Sequence, residues 1–311
     1  MRPSGLINGL LCALSIRKIV DTRFMEESKR IKRLKNNLIK ELPFFPNDKV
    51  TLDELESQDI GGVLIHYLHW KTRHVPKRER RVQLSPDVTS DKRWKSLKEN
   101  INELFDKVRN GEDLIPHLST KAHKNGYTPR QRIIDGDADS WDDKDQILNT
   151  KGFHHFHLDM SMESSGRSKR TDNVLFAFVT RETFLAAGIF DHSVFDSSIV
   201  NGALTQERDR MWKIHQKHAT LGMEPGSSYM SNIIMSSGHP MYLIQMADRY
   251  ADTIENTDSK LDDRVFVNDI YDQGKLPRPD KYKLEWHIED LDLGIYDKKN
   301  GVFFNAIQGH I

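Results

Sequence analysis

Three strand-like runs between residues 152 and 196 constrain the fold of this chain most strongly. FHHFHLDM (153–160) alternates between two faces, whereas NVLFAFV (173–179) and FLAAGIF (184–190) are almost continuously apolar. Short runs rich in β-branched and aromatic residues are typical of strands in a half-buried or fully buried sheet. The short polar stretch within VTRETF (179–184) favours a hairpin connection between the last two runs. The segment therefore predicts a sheet of neighbouring strands.

Further strands and helices are predicted around this segment. The β core is expected to be mostly antiparallel and to comprise about 152–196, 228–235 and 284–307, with Asn300-Gly301 as a hairpin turn. Apolar residues at three- and four-residue spacings predict surrounding helices and a largely helical N-terminal region. The predicted helices cover residues 24–42, 92–108, 204–218, 239–254 and 261–271. Helices around a mostly antiparallel sheet define the α+β class.

The charge of the chain is unevenly distributed. Lys and Arg number 46, as do Asp and Glu, yet residues 1–133 carry a net charge of +10 and residues 134–311 one of −10. A polar stretch at 119–150 lies at this change of sign and is long for a loop inside a domain. We therefore predict a basic, mainly helical region over 1–133 and an acidic α+β domain over 134–311, which could pack as one unit.

Composition and missing motifs exclude several classes of protein. The single cysteine, Cys12, excludes an internal disulfide framework and a cysteine-based zinc site, and it fits a reducing cytoplasm. No apolar run is long enough for a membrane-spanning helix, and the short run Leu6–Ile16 lacks a clear signal-peptide cleavage site. Walker A, dinucleotide-binding, nucleophile-elbow and kinase motifs are absent from the sequence. We therefore expect a cytoplasmic protein without a membrane partner and without a cofactor.

The histidines of the first strand-like run are the main candidates for chemistry. Because side chains alternate along a strand, His155, His157 and Asp159 should share one face of the sheet. Two imidazoles and a carboxylate can act as general acid and base, or can bind a divalent metal for hydrolysis. Buried histidines that only bond backbone carbonyls are the structural alternative.

A cationic turn and a further histidine follow in the same region. Arg167, Lys169 and Arg170 lie in the turn before the second run, and His192 comes directly after the third. This order of elements in residues 152–196 resembles the core of RelE-type ribonuclease toxins. The resemblance implies metal-independent RNA cleavage, in which the three cations hold phosphate and Arg170 stabilises its developing charge. It also implies that the histidines act as base and acid, which gives His155, His157, Arg170 and His192 as catalytic residues.

A second resemblance covers most of the chain. The blocks HYLHWK (66–71), DKDQILN (143–149), GFHHFHLD and RTDNVLFAFV resemble those of an uncharacterised bacterial protein family. This resemblance implies a bacterial source and carries no activity with it.

A basic segment at 71–81 is the second candidate for binding. Six of its eleven residues are Lys or Arg, and two aromatic residues, Tyr67 and Trp70, precede it. Cations neutralise phosphates and aromatic rings stack on unpaired bases, so the segment predicts contact with RNA or DNA. The predicted substrate contacts are Lys71, Arg73, Arg78, Arg80, Arg81, Arg167 and Lys169.

Three functional hypotheses follow from these patterns. The first is a bacterial protein that acts on nucleic acid, such as a metal-independent ribonuclease of toxin or phage-defence type. The second is a non-catalytic interaction or structural protein whose histidines are polar groups of the core. The third is a metal-dependent hydrolase that uses the His155, His157 and Asp159 face. The sequence leaves open whether the protein is an enzyme and what protein partner it has.

Overall fold

The computed structural model describes residues 5–6, 27–119, 122, 124–137, 143–198 and 203–311. The chain forms two compact units, here called the terminal unit (1–71 and 243–310) and the central unit (72–242 with Ile311). The division predicted at residue 133 falls inside the central unit. The reason is that the strand at Arg81–Leu84, before this point, pairs with the strand at Thr183–Asp191, after it. The short apolar run Leu6–Ile16 lies outside the described residues, apart from the backbone of Leu6.

Helices and strands are numbered here in chain order, and the terminal unit contains the first and last of them. Its sheet has the order β1-β8-β7-β6, in which β6, β7 and β8 are antiparallel and β1 runs parallel to β8. The strands are β1 (Gly5–Leu6), β6 (Leu284–Glu289), β7 (Asp292–Asp297) and β8 (Val302–Ile307). The helices are α1 (Lys29–Glu41), α2 (Lys49–Ser57), α3 (Ile60–Thr72), α9 (Met241–Asp258) and α10 (Arg264–Gln273).

The turn between β7 and β8 is the hairpin predicted from Asn300-Gly301. Gly301 has a φ of 67°, a conformation that glycine adopts without strain. Asp297 is fully buried beneath this turn and accepts hydrogen bonds from Tyr271 and from the side chain of Asn300. The turn is therefore fixed both by its own sequence and by a buried carboxylate.

The central unit is built on a sheet of order β2-β5-β4-β3. Strands β3, β4 and β5 are antiparallel, and β2 runs parallel to β5. The strands are β2 (Arg81–Leu84), β3 (Phe153–His157), β4 (Asn173–Val179) and β5 (Thr183–Asp191). The helices are α4 (Pro86–Thr89), α5 (Trp94–Arg109), α6 (Arg130–Ile134), α7 (Gln146–Lys151) and α8 (Gln206–Ala219).

A core on one face of this sheet explains why the three predicted runs form strands. Phe153, Phe176 and Phe190 are fully buried there together with Met211 and Ile214 of α8. Burial of side chains of this size contributes roughly 1.5–3 kcal/mol each to folding. The hairpin predicted between β4 and β5 is present at residues 180–182.

The α+β class is confirmed, but two details of the predicted β core are wrong. Residues 228–235 are irregular, with an isolated bridge between Ile234 and Pro240, because no strand of the described residues pairs with them. The strands over 284–307 form a separate sheet in the terminal unit, so the described strands form two sheets and not the single β core that was expected.

The helices agree with the sequence pattern within a few residues at most ends. In α5, for example, Ile101, Leu104, Phe105 and Val108 form the buried stripe that their spacing predicts. Within the described parts of the chain, no helix combines the length and the apolar character needed to cross a membrane.

Candidate functional site: a histidine cluster beside Arg170

Strand β3 brings two of the predicted catalytic histidines to one face of the central sheet. His155 pairs with Phe176 and His157 pairs with Val174 of β4. Directly paired residues share a face, so both imidazoles lie on the side that also carries the core phenylalanines. The His155 side chain is 11% exposed, whereas His157 as a whole residue is 5% exposed. The alternation predicted for these two histidines is confirmed.

His192 reaches the same place from the end of β5. It begins a short 3₁₀ turn, His192–Phe195, in which the side chain of Asp191 caps the backbone N–H of Ser193. The Asp191 carboxylate accepts hydrogen bonds from the backbone N–H and the hydroxyl of Ser193, at 2.9 and 2.5 Å. The His192 ring lies 5.8 Å from that of His157, centroid to centroid, with the two planes at 87°. The structure therefore brings together an exposed and a buried imidazole.

A network of ion pairs fixes the end of β5 and hence the start of this turn. Arg93 donates to the carbonyl of Ile189 at 2.8 Å and pairs with Glu207 at 3.2 Å. Glu207 also accepts the backbone N–H of Asp191 at 3.3 Å. Side chains from α8 and from the residue that precedes α5 thus hold the backbone immediately before His192.

Arg170 belongs to the loop between β3 and β4. Buried Ser168 anchors the loop by donating its N–H to the Pro116 carbonyl at 3.1 Å and its hydroxyl to the Asp159 carbonyl at 2.5 Å. Arg170 is exposed, and its positive charge acts on both His155 and His157. Lys169, also exposed, and Arg167, half-buried, flank Ser168.

Burial and charge keep the two β3 imidazoles neutral. Burial is the largest cause that lowers the pKa of His157, to about 4, and the charge of Arg170 lowers it further. Burial also lowers the pKa of His155, opposed by Asp145, whose Oδ2 lies 3.6 Å from His155 Nδ1. Among the residues that the structure describes, neither His155 Nδ1 nor His157 Nδ1 has a hydrogen-bond partner. A neutral imidazole with an unpaired nitrogen can accept a proton.

Two neighbouring histidines, His117 and His154, bond backbone carbonyls, which is the structural role considered above as the alternative to catalysis. His117 Nδ1 contacts the carbonyl of His157 at 3.0 Å, and His154 Nε2 contacts that of Thr72 at 2.9 Å. Both imidazoles are buried, and burial is the main cause that lowers the pKa of His117. Sequence reasoning missed His117, because no local pattern indicates that it lies against β3.

The predicted three-member face with Asp159 does not form. Strand β3 ends at His157, and the Asp159 carboxylate accepts the backbone N–H of Ser161 at 2.7 Å in the segment that follows. Among the residues that the structure describes, no group of three or more His, Cys, Asp or Glu side chains could hold a metal ion.

The basic segment at 71–81 separates into buried and exposed residues. Arg80 is 4% exposed and donates to the carbonyls of Thr180, Pro76 and Arg78 at 2.7, 2.9 and 3.2 Å. Arg73 is also 4% exposed and donates to the Asn125 carbonyl, and burial lowers its pKa to about 10. These contacts give Arg73 and Arg80 structural roles, and we remove both from the predicted substrate contacts.

The other cations of the segment lie nearer the surface. Arg81 is exposed at the start of β2, and Arg78 is half-buried. Lys71 is half-buried in the terminal unit, 4.7 Å from the Trp70 ring centroid and 3.4 Å from Glu41. Tyr67 is 1% exposed, so the aromatic stacking predicted for it is not available.

Phe195 and Arg208 are residues of the site that sequence reasoning missed. The Phe195 ring lies 4.9 Å from that of His155 and 5.8 Å from that of His192, yet 37% of the residue is exposed. Buried Arg208 donates to the carbonyls of Val194 and Phe195 at 3.2 and 3.4 Å. The only local signal is the spacing of His192 and Phe195, which is that of one 3₁₀ turn.

Comparisons with known proteins add no relative to this description. No protein-family model, no curated protein and no solved structure matches the chain. The two resemblances noted from the sequence therefore stay predictions.

Proposed function

We propose that the protein is a metal-independent ribonuclease with its active site at His157, His192 and Arg170. The observation that carries this proposal is the pairing of the two imidazole rings at 5.8 Å beside a cationic loop. General acid–base cleavage of RNA needs a proton acceptor, a proton donor and a positive charge at one phosphate. The three residues supply these groups within one unit of the fold.

The groups suggest a division of roles. His157, with a pKa lowered to about 4, is neutral at physiological pH and accepts the proton of the 2′-hydroxyl. The 2′-oxygen forms a bond to phosphorus while the bond from phosphorus to the 5′-oxygen breaks. Exposed His192 donates a proton to the departing 5′-oxygen, which leaves a 2′,3′-cyclic phosphate. No metal, oxidant or further reactant is needed to balance this step.

Cations and one further imidazole support this centre. Arg170 stabilises the negative charge that develops on the phosphate oxygens, and Lys169 and Arg167 hold adjacent phosphates. His155 lies beside His157 on the same face, and burial lowers the pKa of His155, so it adds no positive charge next to the proton acceptor. RNA is the expected substrate, because DNA lacks the 2′-hydroxyl. The single cysteine of the sequence supports a cytoplasmic location as part of this proposal.

Cleavage of a fluorescently labelled RNA in the presence of EDTA tests the proposal. Replacing His157 or His192 by Gln should lower the rate by about 10²–10⁴-fold, since each removes an acid or a base. His215→Gln and His287→Gln are the matched controls, one buried in the central unit and one exposed in the terminal unit. Wild-type protein that leaves RNA intact, or His variants that cleave at the wild-type rate, would overturn the proposal.

A non-catalytic protein with a polar core is the second candidate. The contacts of His117 and His154 with backbone carbonyls favour it, since they show that histidines here can serve packing alone. In that case His157→Gln should lower the thermal midpoint, and no RNA cleavage should be found in any variant.

A further inference from the structure

We propose that Phe195 stacks on an unpaired base next to the scissile phosphate, so that the site selects single-stranded RNA. This inference rests on the proposed function, because it takes the bound strand to be the RNA that the site cleaves. Its physical basis is the position of one exposed aromatic ring beside the two imidazoles.

The exposure of Phe195 is the first observation. Phenylalanine usually lies inside a protein, but Phe195 is 37% exposed although three aromatic side chains surround it. Its ring lies 4.9 Å from His155, 5.8 Å from His192 and 5.9 Å from Phe176. The ring thus forms an apolar edge of the histidine cluster that is open to solvent.

The turn that carries Phe195 is the second observation. A 3₁₀ helix has three residues per turn, so His192 and Phe195 project from the same side of the turn His192–Phe195. Asp191 caps the start of this turn, and buried Arg208 binds the carbonyls of Val194 and Phe195 at its end. The ring is therefore held in place before a ligand arrives, which lowers the entropic cost of binding.

The chemistry of stacking determines the class of substrate. Every base has an aromatic face that can stack on a phenylalanine ring, so this contact tolerates any sequence. Bases in a double helix are already stacked on their neighbours, whereas bases in single strands, loops and bulges can turn outwards. The exposed cations Lys169 and Arg170 supply phosphate contacts, and the charge of Arg170 acts on His157 of the cluster. The site therefore fits an unpaired strand.

Binding of an RNA analogue that cannot be cleaved tests this inference. The probe is a fluorescein-labelled 2′-O-methyl oligoribonucleotide, with fluorescence anisotropy as the readout. A single-stranded probe should bind more tightly than its duplex. Phe195→Leu should weaken binding of the single strand by about 5- to 150-fold, whereas Phe195→Trp should retain it. Phe45→Leu, which replaces an exposed phenylalanine of the terminal unit, is the control and should have no effect.

A double-mutant cycle identifies the contact directly. A series of probes, each with one base removed to leave an abasic sugar, should include a position that weakens wild-type binding as much as Phe195→Leu does. At that position the two changes together should cost no more than either alone, because both remove the same contact. Equal binding by Phe195→Leu and wild type, or additive losses at every position, would overturn the inference. If Phe195→Leu failed to fold, the wild type alone would still test the inference. Equal affinity of the wild type for the intact probe and for every abasic probe would overturn it.

The outcomes separate this inference from the proposed function. Binding that depends on Phe195 in a protein that does not cleave RNA would overturn the ribonuclease proposal and support the stacking contact. Cleavage by a protein that binds equally well without the Phe195 ring would support the ribonuclease and overturn the stacking contact.

Discussion

The imidazole of His157 lies edge-to-face against that of His192, with centroids 5.8 Å apart and planes at 87°, although the first residue is buried and the second exposed. Val174 of β4 pairs with His157 on one side and with Phe190 on the other, so the end of β3 and the end of β5 meet across a single strand. The two rings thus connect the interior of the sheet with solvent. The proposed acid–base cleavage uses this contact between a buried and an exposed imidazole.

Arg170 should control the protonation of the buried imidazoles. Its positive charge lowers the pKa of both His155 and His157, after burial as the largest cause. Arg170→Gln should therefore raise the pKa of both histidines, because the protonated form no longer meets a like charge. Histidine NMR titration measures this shift directly. Arg167→Gln, in the same loop, is the control and should leave both values unchanged, whereas an unchanged pKa in Arg170→Gln would contradict the electrostatic assignment.

The stability of the central unit should decrease as the pH falls below neutrality. An unfolded histidine titrates near pH 6.5, whereas the folded pKa of His157 is about 4. Between these values the unfolded chain binds a proton that the folded chain does not, so acid favours unfolding. The titration of His157 should therefore lower the free energy of unfolding by about 2 kcal/mol at pH 5 relative to pH 7.

Urea unfolding at pH 7 and pH 5 measures this contribution. The difference between the two pH values should be about 2 kcal/mol smaller in His157→Gln than in wild type. If the unfolding free energy of His157→Gln changed between pH 7 and pH 5 as much as that of wild type, His157 would titrate alike in the folded and unfolded chain.

The parts of the fold that the sequence predicted well depend on local patterns. Strands β3 to β5 were found because their apolar residues alternate or run continuously, and the same alternation placed His155 and His157 on one face. The Asn300-Gly301 turn and the buried stripe of α5 are likewise encoded within a few residues.

The parts that could not be predicted depend on distant partners. Residues 228–235 have strand-like composition, but no strand in the described part of the chain pairs with them, while β2 is polar and pairs because β5 offers it an edge. The burial of Arg80 is set by carbonyls such as that of Thr180, which no local charge pattern reveals. The contacts of His117 and Phe195 with the β3 histidines are likewise long-range.

Arg80 should contribute to stability and not to binding of nucleic acid. Its guanidinium bonds three backbone carbonyls in a buried setting, and hydrogen bonds from charged groups contribute about 1.5–3 kcal/mol each. Arg80→Ala should therefore lower the free energy of unfolding by about 3 kcal/mol or more. The exposed neighbour offers a matched variant: Arg81→Ala should change stability by less than about 0.5 kcal/mol.

Urea unfolding and the salt dependence of RNA binding distinguish the two arginines. Binding that becomes less sensitive to salt in Arg81→Ala but not in a folded Arg80→Gln would agree with the structure, because both variants remove one positive charge. The reverse result would restore Arg80 as a phosphate contact.

Asp297 should be the carboxylate on which the β7–β8 turn of the terminal unit depends. Its Oδ1 accepts the backbone N–H groups of Lys283 and Lys299 at 3.0 and 2.9 Å, and its Oδ2 accepts from Tyr271 and Asn300 at 2.6 and 2.7 Å. Asp297→Asn keeps the shape but replaces one acceptor oxygen by an NH₂ group that faces donors. The expected loss of unfolding free energy is about 2–4 kcal/mol. Asp290→Asn is the control, because this exposed residue has a φ of 55° that Asn tolerates.

The acid dependence of this loss tests its cause. Although burial opposes the effect, the hydrogen bonds from Tyr271, Asn300, Lys283 and Lys299 lower the pKa of Asp297 below its ordinary value of 3.8. A lowered folded pKa means that the carboxylate stabilises the fold fully above pH 3.8 and loses this contribution as the pH falls through the folded pKa. Wild type and Asp297→Asn should therefore differ most near pH 7 and converge in strong acid, as measured by urea unfolding across this range. A difference that stays constant down to strong acid would assign the loss to packing and not to the charge of Asp297.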